Sequence, residues 1–204
     1  KNKNIINFFG KPLIAYSIKA AKKSNLFSKI FVSTDSIKIK KIAKKFGAET
    51  PFLRGKRLSD DFTGTNDVVS DFIKKMKLYD EIICCIYPTA PLMRVKDLRR
   101  GFNSLIPNNY IFSANKTEQN KDNVFYIKNN KISKLDTKRN FFKKKKFIDS
   151  GQFYWATADT WLNRKKIINV GASIIQVPKK YAQDLNNYED LKILKKKFVK
   201  KWKR

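Results

Sequence analysis

The sequence predicts an α/β fold: a mainly parallel, doubly wound sheet with helices on both faces. Through the first half, apolar runs of strand length alternate with amphipathic helical segments. The run Ile82–Tyr87 shows no polar alternation, as in a strand covered on both faces. Of the 204 residues 42% are hydrophobic, enough for one substantial core, so 1–204 reads as a single domain.

Residues Lys1–Phe9 form a polar entry, and Gly10-Lys11-Pro12 opens a helix with proline in its first turn and Ile14, Ile18 and Ala21 facing inward. Lys29–Thr34 is a strand. Asp35 or Ser36 caps the next helix, whose apolar face is Ile39, Ile42, Ala43 and Phe46 and which Gly47 ends. Ala48–Leu53 is extended and Arg54–Thr65 is a polar, turn-rich segment. Thr65 caps a helix with Val68, Val69, Phe72, Ile73 and Met76 inward.

The strand Glu81–Tyr87 then runs into Pro88-Thr89-Ala90-Pro91, where two prolines fix two φ angles and shape the exit from the strand's carboxyl end. Ligands of open α/β sheets bind at that end. A helix over Arg94–Ile106 and a strand over Tyr110–Ala114 follow. Asn129-Asn130 divides Val124–Leu135 into a hairpin. Thr137–Lys146 is a basic loop, Phe147–Trp155 is extended, Asp159–Asn163 is a short helix, and Gly171–Val177 is a strand closed by Pro178. The last helix, Tyr188–Trp202, carries Leu191, Leu194, Phe198 and Trp202 on one stripe. The order begins with a helix and residue 1 is lysine, so a first strand and its phosphate-binding turn are expected ahead of Lys1.

Composition narrows the chemistry. The net charge is +29 and 38 of 46 basic residues are Lys, a field that draws in polyanions without choosing among them. With no histidine, a Ser-His-Asp triad, a Cys-His pair and a His-ligated zinc site are all excluded. Cys84 and Cys85 are neighbours on a strand and point to opposite faces, which suits core residues in a reducing compartment. No apolar run reaches membrane-spanning length and no signal peptide is visible, so the expected location is cytoplasmic.

Three features can carry function. Lys143–Lys146 between Phe142 and Phe147 is either a solvated loop or a nucleic-acid contact, although no recognisable nucleic-acid module accompanies it. Asp149-Ser150-Gly151-Gln152-Phe153-Tyr154-Trp155 sets polar groups among aromatics, with a glycine that signals a bulge or a close approach. This suits a sugar-like ligand, or an edge strand with core aromatics. Asp184, in Gln183-Asp184-Leu185-Asn186, is either a helix cap or an oxygen ligand for a hard cation such as magnesium.

These pieces resemble the acylneuraminate cytidylyltransferase family, most closely its pseudaminic acid branch. Lys3-Asn4-Ile5 and Phe9–Ile18 resemble the first block of the family. Val32–Asp35, Gly47–Glu49, Pro51–Arg54, Asp60-Asp61 and Thr63-Gly64-Thr65 continue it. The most specific marks are Cys84–Pro91 and Asp149–Trp155; sialic acid members usually carry Gln in place of Tyr87 and an Asn-Gly-Ala-type stretch near Ser150–Gln152. The likeness is weakest over 115–147, a variable stretch and candidate dimerisation region.

The resemblance implies a Rossmann-like nucleotide-diphospho-sugar transferase fold that transfers CMP from CTP to a nine-carbon acidic sugar, with magnesium as cofactor. It implies a homodimer without membrane association. Lys3 would serve catalysis at the nucleotide phosphates, Asn4, Thr63, Gly64, Thr65, Pro88 and Thr89 would contact the nucleotide, and Tyr87, Asp149, Ser150 and Gln152 would face the sugar. Asp184 matches the first of two metal aspartates. Asn186 stands in place of the second, and the phosphate loop of the family would precede Lys1. Legionaminic or sialic acid synthesis, a Lys-rich nucleic-acid-binding protein and an inactive fragment are the alternatives.

Overall fold

A computed structural model describes residues 3–118, 124–135, 146–163 and 166–202. A 3₁₀ turn at Lys3–Ile5 leads into a two-residue hairpin, β1 (Asn7–Phe8) and β2 (Lys11–Pro12). Phe9 and Gly10 turn it at φ +48° and +78°. Pro12 therefore ends a strand instead of opening a helix, and α1 (Ile14–Ser24) starts two residues later with Ile14, Ile18 and Ala21 buried as expected. Ser36 caps α2 (Ile37–Lys45) by accepting a hydrogen bond from Ile39 N, and Gly47 at φ +82° turns the chain out of it.

The segment predicted as a strand over Lys29–Thr34 makes only one isolated parallel bridge, Phe31 to Glu49. It is bonded along one edge and has no described strand on the other. After α3 (Thr65–Met76) and β3 (Ile82–Ile86), α4 covers only Val95–Asn103, because the last turn tightens: Ser104 N also reaches Gly101 O and Leu105 N bonds Phe102 O, each three residues back. Strands β4 (Ile111–Thr117), β5 (Phe125–Lys128), β6 (Lys131–Leu135), β7 (Lys146–Thr157) and β8 (Ser173–Gln176) complete the sheet. Asn129 and Asn130, both at positive φ, turn β5 into β6 as the sequence signalled. Helix α5 (Ala158–Asn163) follows β7, and α6 (Tyr188–Trp202) closes the chain.

The strand order is β3-β7-β4-β8-β6-β5, with β5 also bonded to β7. The expectation of mainly parallel pairing needs correcting: β4–β8 is the one parallel ladder described, and β3, β4 and β8 share a direction only because the reversed strand β7 lies between β3 and β4. The α/β class stands, with a mixed sheet. The bond from β5 to β7 closes β7, β4, β8, β6 and β5 into a ring around Phe112, Phe125, Phe147 and Tyr154. Elsewhere Leu98 of α4 clusters with Ile111, Phe153 and Trp155 of the sheet, and Phe8, Leu194 and Phe198 join the first hairpin to α6.

Phe147 is buried in the ring, which removes it as a surface for stacking bases. Phe142, Lys143, Lys144 and Lys145 lie outside the described residues, as do most of the basic loop and the Trp202 side chain. Among the described residues no helix is long and apolar enough to cross a membrane.

Candidate active site

The site forms where β3 ends against the bulged middle of β7. Tyr87 N donates to Gln152 O at 2.9 Å, so the proline-flanked bend after β3 lies directly against the polar stretch of β7. Ser17 on α1 donates its hydroxyl to Tyr87 O at 2.8 Å and ties the helix to the same point.

Strand β7 is bulged here. Its register with β4 jumps from Tyr154 opposite Phe112 to Asp149 opposite Ala114. The surplus residues include Gly151, at φ +60°, where a Cβ would lie 4.0 Å from the Tyr87 ring. Ser113 Oγ fills the gap in the ladder by accepting from both Gln152 N and Phe153 N. The bulge leaves polar atoms buried without partners: Ser150 Oγ and Gln152 Oε1. The Gln152 amide nitrogen donates to Tyr181 O at 2.6 Å, which fixes the side chain.

Asp149 accepts from Gly151 N at 2.8 Å and from the Tyr154 hydroxyl at 2.5 Å. Burial raises its pKa to about 6 against the opposing effect of those bonds, and the Asp184 charge raises it further. The two carboxylates, 35 positions apart in the sequence, are thus electrostatic neighbours. Asp184 is exposed, and its two oxygens accept from Leu185 N and from the Asn186 amide, the latter at 2.9 Å. Asn186 therefore orients Asp184. Asp190 and Asn187 exchange the capping bonds of α6, so Asp184 is not needed as a cap.

On the other flank, Thr65 is the first residue of α3 and does not cap it; Gly64 holds the cap position. Its hydroxyl is instead 2.6 Å from that of Tyr87, whose ring lies 5.2 Å from Tyr154. Burial raises the pKa of both tyrosines, so they act as hydrogen-bonding hydroxyls near neutral pH. Asp60 accepts from Phe62 N and Thr63 N and folds the 60–63 turn. Lys3 reaches Leu185 O at 3.4 Å, next to Asp184.

A cavity of about 850 Å³ adjoins these residues. Asn4, Thr63, Thr65, Tyr87 and Pro88 line it; Lys3, Gly64, Thr89, Asp149, Ser150, Gln152, Asp184 and Asn186 do not. Thr89 is buried in the bend. Sequence reasoning missed the supports. Ser17 and Tyr181 act through single hydrogen bonds from distant elements, and Ser113 through two. Arg94 forms a two-pronged pair with the fully buried Asp97, 2.5 and 2.8 Å, and lies 4.5 Å over the Tyr181 ring. The Arg-x-x-Asp spacing at a helix start was the only local signal of that pair.

The cytidylyltransferase family model matches residues 1–201. The chain belongs to the cytidylyltransferase family. It is 35% identical to a pseudaminic acid cytidylyltransferase of Campylobacter jejuni, over 95% of this chain and 88% of that protein. It is 30% identical, again over 95% of its length, to part of a Helicobacter pylori protein named pseudaminic acid cytidylyltransferase and UDP-2,4-diacetamido-2,4,6-trideoxy-beta-L-altropyranose hydrolase, of which it covers 39%. Its fold matches that of a CMP:2-keto-3-deoxy-manno-octonic acid synthetase solved with CTP, at TM-score 0.74 and 13% identity, over 98% of this chain and 92% of the other. This cytidylyltransferase thus has the nucleotide-sugar transferase architecture that its motifs implied.

Proposed function

We propose that this cytidylyltransferase transfers CMP from CTP to the anomeric hydroxyl of a pseudaminic-type, nine-carbon acidic sugar. The sugar oxygen forms a bond to the α-phosphorus of CTP, the bond from that phosphorus to the β-phosphate bridging oxygen breaks, and pyrophosphate leaves. The single observation that carries the reading is the bulge of β7. It presents two buried, unpartnered polar atoms, Ser150 Oγ and Gln152 Oε1, beside the Tyr87 bend, where a polyhydroxylated acid would satisfy them. The names of the relatives given above support the same substrates.

The roles are those the family likeness implies, and placement supports some of them. Thr63, Thr65, Asn4 and Pro88 flank the side given to the nucleotide, with Gly64 and Thr89 beside them in the chain. Lys3, next to Leu185, offers its ammonium to the phosphates. Such a transfer depends on positioning and charge neutralisation, so a chain without histidine can perform it. The net charge of +29 concentrates both anionic substrates.

The donor set at Asp184 fits magnesium. Its exposed carboxylate keeps free lone pairs, a second carboxylate is within electrostatic reach, and such an ion needs only one or two protein carboxylates beside substrate phosphates. Asp184 would hold the ion, and Asn186 would orient Asp184. Bound magnesium supplies neutralisation of phosphate charge. The same family likeness makes a cytoplasmic homodimer the expected working form.

Purified protein given CTP, magnesium and pseudaminic acid should release pyrophosphate. Gln152→Ala should raise KM for the sugar about tenfold, one neutral hydrogen bond, with KM for CTP unchanged. Turnover of N-acetylneuraminic acid and not of pseudaminic acid moves the chain to the sialic acid branch. A shift in KM for CTP alone removes Gln152 from the sugar side.

A further inference from the structure

Segment 179–184 meets the site at one backbone atom. Tyr181 O accepts from Gln152 Nε2 at 2.6 Å, and the other end of that amide, Oε1, is buried without a partner. The strand sets where the Gln152 side chain starts, since its backbone is bonded to Ser113 Oγ and to Tyr87 N. The place of Tyr181 O sets where it ends, and so where Oε1 points. The segment opens with a single 3₁₀ turn, Lys179–Tyr181, in which Tyr181 N donates to Pro178 O and Ala182 N to Lys179 O. So short a turn does not hold its own shape.

What holds it comes from α6. Lys192, Lys195, Lys196 and Lys200 of that helix are exposed, as lysines of a solvated face are, whereas Lys197 is half-buried. Its ammonium donates to Ala182 O at 2.6 Å, to Gln183 Oε1 at 2.9 Å and to Lys179 O at 3.2 Å, one acceptor for each of its protons. The two carbonyls bracket Tyr181. Burial, and then the Lys179 charge, lower the Lys197 pKa, so an ammonium here carries a desolvation cost that the three acceptors offset. Gln183 joins Lys197 to a second charge on the same helix: its amide nitrogen donates to Asp190 Oδ1 at 3.3 Å and to Asp184 O at 3.1 Å. Asp190 and Lys197 lie about two turns apart on one face of α6, and the amide spans from cation to anion. The Tyr181 ring is gripped separately, with the Arg94 guanidinium 4.5 Å and Lys180 Nζ 5.2 Å over it.

We infer that Lys197 is a positioning residue for the sugar side: from α6 it fixes the backbone of segment 179–183, and Tyr181 O passes that placement to Gln152. It acts through Gln152 and touches neither substrate. This role rests on the reading of Gln152 as a sugar contact, and adds what aims that side chain.

Lys197→Met keeps the aliphatic stem and removes every donor, and Lys196→Met, at an exposed neighbour, removes the same charge as a control. In protein carrying nitrogen-15 glutamine, the Gln152 side-chain amide is the resonance absent from Gln152→Ala. In Lys197→Met that resonance should move and its hydrogens should exchange about tenfold faster or more, with no change in Lys196→Met. Lys197→Met should also raise KM for pseudaminic acid about fivefold with KM for CTP unchanged, and add less than about twofold on top of Gln152→Ala. A Gln152 amide that stays as in the parent overturns the inference, since a role confined to stability lowers Tm alone. So does a rise in KM that persists in full in the Gln152→Ala background, because Lys197 then acts by another route. Should Lys197→Met fail to fold, Gln183→Ala removes one acceptor and the bridge to Asp190. It should move the Gln152 amide the same way by less, and no movement overturns the inference. A parent that turns over no nine-carbon acid ends the functional reading only, and the amide resonance still decides what Lys197 does.

Discussion

The ring of β7, β4, β8, β6 and β5 and the pair formed by β3 with segment 30–34 are written in similarly apolar sequence, yet only the ring is dry. Ile111, Phe112 and Ala114 are fully buried, with β4 bonded on both sides, whereas β3 is bonded on one side and every residue from Ile83 to Ile86 is only half-buried. An apolar run states a requirement for cover, and the neighbours decide whether it is met. Where two edges both find partners, burial and hydrogen bonding reinforce each other. Where one edge faces a cavity, neither is complete.

Deletion in the ring should cost most. Phe112 lies 5.7 Å from Phe125 and 6.1 Å from Tyr154, so Phe112→Ala leaves a cavity that cannot collapse, and chemical denaturation should report a loss of about 3–5 kcal/mol. A loss below about 1 kcal/mol would put the ring on the same footing as β3.

A smaller effect tests the border between the regions, where β7 carries Asp149. Its pKa of about 6 in the folded protein lies above the ordinary aspartate value of 3.8, so the folded state binds its proton more tightly than the unfolded chain. Its contribution is present below pH 3.8 and is lost as pH rises toward 6. Without substrates or divalent cations, stability of the parent should fall across that window relative to Asp149→Asn, by on the order of 1–3 kcal/mol in urea titrations. Parallel curves for the two proteins would place Asp149 in solvent.

The smallest effect belongs to the open edge. Ile82→Ala should cost less than about 1 kcal/mol in the 204-residue chain, because the side chain is already 45% exposed. A cost near that of Phe112→Ala would show β3 to be covered.

The pieces of the site were largely legible in order but not in arrangement. The glycine in Asp149–Trp155 signalled the bulge that the register confirms, and the Pro88–Pro91 bend followed from the fixed φ of proline. That Tyr87 pairs with Gln152, that Asp184 lies near Asp149, and that Thr65 serves Tyr87 instead of its own helix are contacts across 65, 35 and 22 positions. No local pattern encodes them.

By itself the sequence determined what short-range physics controls: the inward faces of α1 and α2, a cap for α2 at Asp35 or Ser36, the Gly47 exit, the Asn129-Asn130 turn and the span of α6. Each depends on interactions within a few residues, which composition and spacing record directly. The tertiary structure alone decided that β7 runs against its neighbours, that the sheet closes on itself through β5, and that Asp184 comes near Asp149. Those choices follow from which distant edges meet, and that is set by the packing of the whole chain.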